Sequence, residues 1–352
     1  MTPLGQIIRE MIMSDGPMGL DRFMTLALGH PHHGYYITRD PLGRAGDFTT
    51  APEISQVFGE LIGIWAVAQW QAMGEPASFL LVEMGPGRGT LMADLLRAAQ
   101  VRPRFGAAAR LHLIETSPVL RAAQAERLGP GATWHFNLES LPAGPALIVA
   151  NEFFDALPIR QFEARGGHWF ERLVGLAGEG FRLGLSPRPV RLGVPAEEGA
   201  VMETAPEREA VAEALGHRLA AQGGAALIID YGHGQTAPGD TLQAMRAHGF
   251  AAVLAHPGEA DITAHVDFEQ LGHAFRRGGA MVPALMTQGD FLAAMGLAQR
   301  VEKLAGQLAG ADRENFLIGA KRLAEAGQMG SLFKVMTAHA PGEPAPYPFG
   351  AP

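Results

Sequence analysis

The chain has 352 residues, 47% of them apolar and 18% charged, enough to bury a substantial core in one enlarged domain or about two. Its 28 Lys and Arg against 36 Asp and Glu leave a net charge of −8, which argues against a nucleic-acid partner, since such partners select a basic face. The absence of cysteine excludes disulfides, thiolate metal sites and a cysteine nucleophile, and is consistent with a reducing compartment.

In chain order, helical spacing at Ile7, Ile8, Met11 and Ile12, and again at Phe58, Leu61, Ile62, Trp65 and Gln69, predicts a helical cap over residues 1–75. Glu10, Asp15 and Asp21 interrupt the first 30 residues, so no secretory or transit signal is read. The longest apolar run, Leu61 to Ala68, contains Gly63 and falls far short of a membrane span, so none is expected. These features predict a cytoplasmic protein, with the mitochondrial matrix as the alternative, because a processed mitochondrial form would read the same way.

From residue 76 to 338 the pattern changes. Four short apolar runs, Phe79 to Val82, Leu111 to Ile114, Ala146 to Val149 and Ala226 to Ile229, alternate with helical stretches at 91–99, 118–127 and 207–221. Buried parallel strands crossed over by helices give this rhythm, so the chain is expected to be an α/β, doubly wound protein. Two insertions are predicted. The first, about 159–205, begins with a hairpin carrying Phe162, Trp169, Phe170, Leu173 and Phe181; the second, about 238–300, is mixed in pattern. A strand at Leu332 to Met336 closes the domain, and the Pro-rich stretch within 339–352 reads as a disordered tail.

The first run leads into Glu83-Met84-Gly85-Pro86-Gly87-Arg88-Gly89-Thr90, a strand, a glycine turn and a helix start. Such a turn lets backbone approach a ligand closely and offers helix N-terminal amides to it. No Lys-Ser/Thr follows the last glycine, which disfavours a P-loop, and the G-x-G-x-G spacing departs from the dinucleotide fingerprint. With an acid at the strand end, the segment resembles S-adenosylmethionine-dependent methyltransferases of the Rossmann-like class, whose cofactor carries cationic groups that Glu83 could meet. Glu83, Gly85, Gly87 and Gly89 are therefore cofactor-binding candidates. About 26 residues beyond Gly89, Glu115 ends the second strand, where an acid can accept from both ribose hydroxyls. Asn137 and Leu138 follow the third strand, where enzymes of this class contact adenine.

After the fourth strand comes Asn151-Glu152-Phe153-Phe154-Asp155-Ala156-Leu157-Pro158, at the edge where α/β enzymes place chemistry. Two carboxylates and an amide there suit a cationic nitrogen; the alternative is a helix start capped by Asn151 with Asp155 in solvent. This segment, His30-Pro31 with Gly34-Tyr35-Tyr36, Gly46-Asp47-Phe48-Thr49-Thr50-Ala51-Pro52-Glu53, Asp230-Tyr231-Gly232, and the run Asp261 to Phe268 are together similar to the MidA-like family. That resemblance implies protein arginine N-methylation of a respiratory complex I subunit or equivalent, supporting complex assembly. The catalytic candidates are Glu152 first, then Asp155 and Asn151, with Asp47 and Glu53 on a loop that could fold over the cofactor; an ordinary helix start with Glu53 in its first turn is the competing view. The expected partner is an arginine-containing protein, and an oligomer stays open. A non-catalytic assembly factor and an NAD-dependent oxidoreductase are the rival readings. His30, His32 and His33 lack a nearby carboxylate set, so no metal site is expected. Asp261, Thr263, His265 and Asp267 alternate as if on one strand face; a polar turn whose acids cap helices is the competing view.

Overall fold

Every residue of Phe79–Met84 and Ala146–Asn151 is buried, as strands covered on both faces require. They lie side by side in the eight-stranded sheet of a computed structural model that describes residues 1–40 and 49–350. The strands are β1 (Phe79–Met84), β2 (Ala109–Ile114), β3 (Ala132–His135), β4 (Ala146–Asn151), β5 (Gly224–His233), β6 (Val266–Asp267), β7 (Met286–Thr287) and β8 (Phe333–His339). Across the sheet the order is β7-β8-β5-β4-β1-β2-β3, with β6 pairing β5. The chain winds outward from β1 through β2 to β3, then returns to the other side of β1 with β4 and continues to β5. The order thus reverses between β1 and β4, and their carboxyl ends open the crevice where doubly wound sheets bind ligands. The doubly wound α/β sheet expected from the four apolar runs is present, and those runs are β1, β2, β4 and β5. β8 enters antiparallel between β5 and β7.

The chain divides into two compact units. The sheet belongs to the larger, made of residues 49–154, 210–235 and 266–350 among those described. Helix Thr90–Ala99 follows β1 and buries Leu91, Met92, Leu95 and Ala99, a helical stripe, in the sheet core. Helix Gln56–Ala72, apolar on nearly every face, packs against it, and a Cβ on Gly63 would stand 2.6 Å from the Leu95 carbonyl oxygen. Helix Pro118–Leu128 joins β2 to β3. The Pro-rich stretch expected to be disordered is placed through Gly350: Phe349 packs 5.9 Å from the Phe291 ring and the Tyr347 hydroxyl donates to the Ala294 carbonyl. Phe349 finds a core partner and Tyr347 a surface one, which the proline count concealed.

The other unit comprises residues 1–40, 155–209 and 236–265 among those described. Thr2 caps helix Pro3–Asp15, whose Leu4, Ile8 and Ile12 join Leu20, Phe23 and Met24 of helix Leu20–Gly29 in one core. The hairpin expected between Ile159 and Pro187 is Arg160–Arg165 paired with His168–Ala177 around Gly166-Gly167, and Gly180–Leu185 adds a third strand. Arg208, 3% exposed on helix Pro206–Gln222, donates to the carbonyls of Asp155, Leu157, Ala264 and His265, drawing together two loop segments. The helix-rich segment expected as one cap over 1–75 is shared out: residues 1–40 fall in this unit and 49–75 in the sheet unit. The segment 238–300 likewise divides after His265.

Candidate active site

The turn after β1 is set by glycine geometry. Gly85, Gly87 and Gly89 have φ of 62°, 53° and 75°, the left-handed region that other residues enter at a cost. A Cβ on Gly85 would also meet the Phe153 ring at 3.1 Å. Gly89 is the N-cap of helix Thr90–Ala99, so the turn ends on that helix's amide-bearing terminus.

Glu83, on the last turn of β1 before the glycines, is 3% exposed, and its Oε2 has no hydrogen-bond partner among the described residues. Burial pushes its pKa well above the carboxylate range, and the charge of Glu115 pushes it further. Glu115 follows β2. Its Oε1 accepts from the Ser117 N–H at 2.7 Å and its Oε2 from Gln124 Nε2 at 3.1 Å. Burial raises its pKa as well, opposed by those donors. The register pairs Glu83 with Leu113 on β2 and Val149 on β4. Two residues further along, Glu115 and Asn151 therefore share the sheet face of Glu83.

At the end of β4, Asn151 is 8% exposed and Glu152 adopts φ 50°, unusual for a residue with a side chain. The Glu152 N–H donates to Ile229 O on β5, which holds the turn in place. Its Oε1 accepts from Asn151 Nδ2 and from the Ala51 N–H, each at 3.1 Å. Asn151 Oδ1 has no hydrogen-bond partner among the described residues. Asp230, fully buried within β5, accepts the Phe154 N–H at 3.0 Å and so fixes the chain leaving this turn.

Glu53, expected on a lid, stands in the first turn of the short helix Ala51–Ile54 and accepts from the Thr90 hydroxyl at 2.5 Å. It touches the helix start that follows the glycines. Asp47 lies outside the described residues. Asp155 is in the other unit, 6% exposed, and its charge together with that of Asp261 adds to burial in raising the pKa of Tyr36, whose hydroxyl donates to Asp261 at 2.7 Å. Asp155 is thus neither an exposed helix-start residue nor part of the sheet unit that holds Asn151 and Glu152. Asn137 is exposed and accepts from the Ser140 N–H, capping the 3-10 turn Leu138–Ser140 that contains Leu138. Asp261, Thr263, His265 and Asp267 do not share one strand: Asp261–Thr263 pairs within one unit, while Asp267 ends β6 in the other and caps helix Phe268–Arg277. Among the described residues no group of three His, Asp or Glu is arranged to hold a metal.

Sequence reasoning passed over Gln124, which is fully buried and donates to Gly87 O at 2.6 Å as well as to Glu115. A signal existed: Leu120, Gln124 and Leu128 fall at i, i+4 and i+8, and a lone amide on that stripe needs internal partners. Thr90 gave no comparable sign, and Asp230 entered only as part of the Asp230-Tyr231-Gly232 resemblance.

Two buried acceptors, Glu83 Oε2 and Asn151 Oδ1, have no donor among the described residues and lie on one face of a switch-point crevice, an arrangement that suits a ligand bearing a cationic donor. The methionyl ammonium of S-adenosylmethionine is such a group, and the fixed acceptor Glu115 suits its ribose.

Residues 61–285 match the model of a family described as S-adenosyl-L-methionine-dependent methyltransferase. Protein arginine methyltransferase NDUFAF7 homolog, mitochondrial, of Drosophila melanogaster is 37% identical over 95% of this chain and 84% of its own length. The mitochondrial protein arginine methyltransferase NDUFAF7 of Homo sapiens is 35% identical over 86% of this chain and 75% of its own. A protein of Burkholderia thailandensis, whose crystal structure contains S-adenosyl-homocysteine, superposes with a TM-score of 0.80 at 28% identity, covering 96% of this chain and 91% of that one. The crevice with its unpaired acceptors and the matching family model lead to one conclusion: the chain belongs to the S-adenosyl-L-methionine-dependent methyltransferases, in the MidA-like family.

Proposed function

We propose that this protein N-methylates an arginine of a partner protein, with a respiratory complex I subunit or its equivalent as the candidate partner and complex assembly as the outcome. The observation that carries this reading is the Glu152 carboxylate, held at the crevice by a backbone N–H and an amide while its own backbone is fixed in a left-handed conformation. A fixed carboxylate suits a guanidinium, which stays protonated at neutral pH and is gripped by its planar fork. The two relatives named as protein arginine methyltransferases support the same substrate class.

Glu83 and Asn151 would hold the methionyl end of the cofactor, Glu115 its ribose, and the turn Gly85 to Gly89 its flank. S-adenosylmethionine supplies an activated methyl group on a sulfonium centre. Glu152 would orient one terminal guanidinium nitrogen and take its proton as the N–C bond forms and the methyl–sulfur bond breaks, leaving S-adenosylhomocysteine, and correct orientation contributes several kcal/mol. Asn151 and the Ala51 N–H keep that carboxylate from turning away, and Glu53 braces Thr90 beneath the turn. Asp155 and Asp47 stay as further candidates for the guanidinium. The relatives' names place them in mitochondria, so the matrix alternative gains from them and the cytoplasmic expectation does not.

The test is incubation with methyl-labelled cofactor and candidate partner, followed by mass spectrometry. Label on arginine supports the reading. Label on lysine overturns the substrate class, and no transfer to any protein in an extract favours the non-catalytic assembly factor.

A further inference from the structure

We propose that Gln124 is a positioning residue that ties the glycine turn to the ribose-accepting carboxylate, so that both are presented to the cofactor as one preset unit. The inference deepens the cofactor-site reading and rests on it, specifically on Glu115 as the ribose acceptor.

The side chain is 0% exposed, and each of its polar atoms is engaged by a different strand ending. Nε2 donates to Gly87 O, in the turn after β1, at 2.6 Å, and to Glu115 Oε2, after β2, at 3.1 Å. Oε1 accepts from Trp134 Nε1, on β3, at 2.8 Å. A primary amide has two N–H donors and a carbonyl, and here both donors and the carbonyl are matched. Glutamate has no donor for Gly87 O and would add a negative charge beside Glu115. Methionine keeps the length and loses all three bonds. The Ser117 N–H fixes one oxygen of Glu115, and Gln124 fixes the other, so the carboxylate plane is set before a ribose arrives. The same amide restrains the carbonyl of the central glycine of the turn, so that movement of one contact group carries the other with it. The Trp134 indole prevents the amide from flipping, which would present oxygen to both acceptors.

The property that a merely structural role would not move is discrimination of the ribose hydroxyls. The experiment measures the affinity of the full chain for S-adenosylhomocysteine and for its 2′,3′-dideoxy analogue by titration calorimetry, in wild type, Gln124→Met and Gln124→Glu. Wild type should prefer the natural ligand at least about tenfold, as expected for hydrogen bonds to a charged acceptor. Both variants should bind it more weakly and reduce that preference to within about threefold. If wild type discriminates and the variants keep its ratio, the proposal is overturned while the ribose role of Glu115 stands. If wild type binds both ligands equally, that role fails and the proposal falls with it. Where neither variant folds by circular dichroism, Trp134→Phe decides: it removes only the donor that orients the amide, and an unchanged ratio overturns the proposal.

Discussion

Glu83 and Glu115 present their carboxyl groups on one sheet face from neighbouring strands, and the charge of Glu115 adds to burial in keeping Glu83 protonated. A group whose native pKa is raised holds its proton while the unfolded chain releases it. Its contribution is thus fully present below the unfolded value of 4.5 and is lost as pH rises towards the native value. The ligand-free protein should therefore lose stability over that window, and Glu83→Gln should flatten the slope. A cationic ligand reverses the preference, so binding should release a proton and strengthen as pH rises. Calorimetry in two buffers of different ionisation enthalpy measures this release, which should vanish in Glu83→Gln together with about tenfold or more of the affinity. Equal heats in both buffers for wild type would count against the ammonium assignment.

The glycine turn should tolerate no side chain. Gly85→Ala adds a Cβ that would meet Phe153 at 3.1 Å, at φ 62°. The conformation alone costs roughly 1–2 kcal/mol. Thermal melts should register that loss, and cofactor titration should show roughly tenfold weaker binding. Gly87→Val should abolish binding with the circular dichroism spectrum retained. Normal binding by both variants would move the site elsewhere.

Glu152→Gln keeps the acceptor that faces Ala51 and removes the charge that faces a guanidinium. Methyl transfer to the partner should fall at least about a hundredfold, roughly 3 kcal/mol of lost transition-state stabilisation, while cofactor affinity stays within a factor of about three. A rate near wild type would remove Glu152 from the reaction and turn attention to Asp155.

Arg208 bridges four carbonyls that a single ammonium cannot reach together. Arg208→Lys should lower unfolding stability by roughly 2–4 kcal/mol, the equivalent of one or two charge-assisted hydrogen bonds. Denaturant titration checks this, and an unchanged midpoint would show that water takes the place of the lost donors.

The sheet was legible because burial on both faces writes short apolar runs, and because Glu83 and Glu115 each follow such a run directly, with Asn151 and Glu152 close behind another. The division of the N-terminal helices was not legible. Helix Gln56–Ala72 and helix Pro3–Asp15 carry similar apolar spacing, and periodicity says which face is buried without saying against what. Glu53 stood open between a lid loop and a helix start; the helix start is what forms, and its partner Thr90, 37 residues away, leaves no trace in local spacing. Asp261 and Asp267 share a spacing but not a strand, since the chain changes partner between Thr263 and Val266.

Glu152 is also the part of the crevice that is finished last during synthesis. Ala51, which holds its carboxylate, leaves the ribosome 101 positions earlier, whereas Ile229, which accepts its backbone N–H, comes 77 positions later. At about 5–20 residues per second, that second interval lasts roughly 4–15 s. During it the glycine turn, its helix and both donors to the Glu152 carboxylate already exist, yet the Glu152 backbone N–H lacks the Ile229 carbonyl that accepts it. A nascent chain halted before β5 thus carries the glycine turn without the strand that anchors the Glu152 backbone.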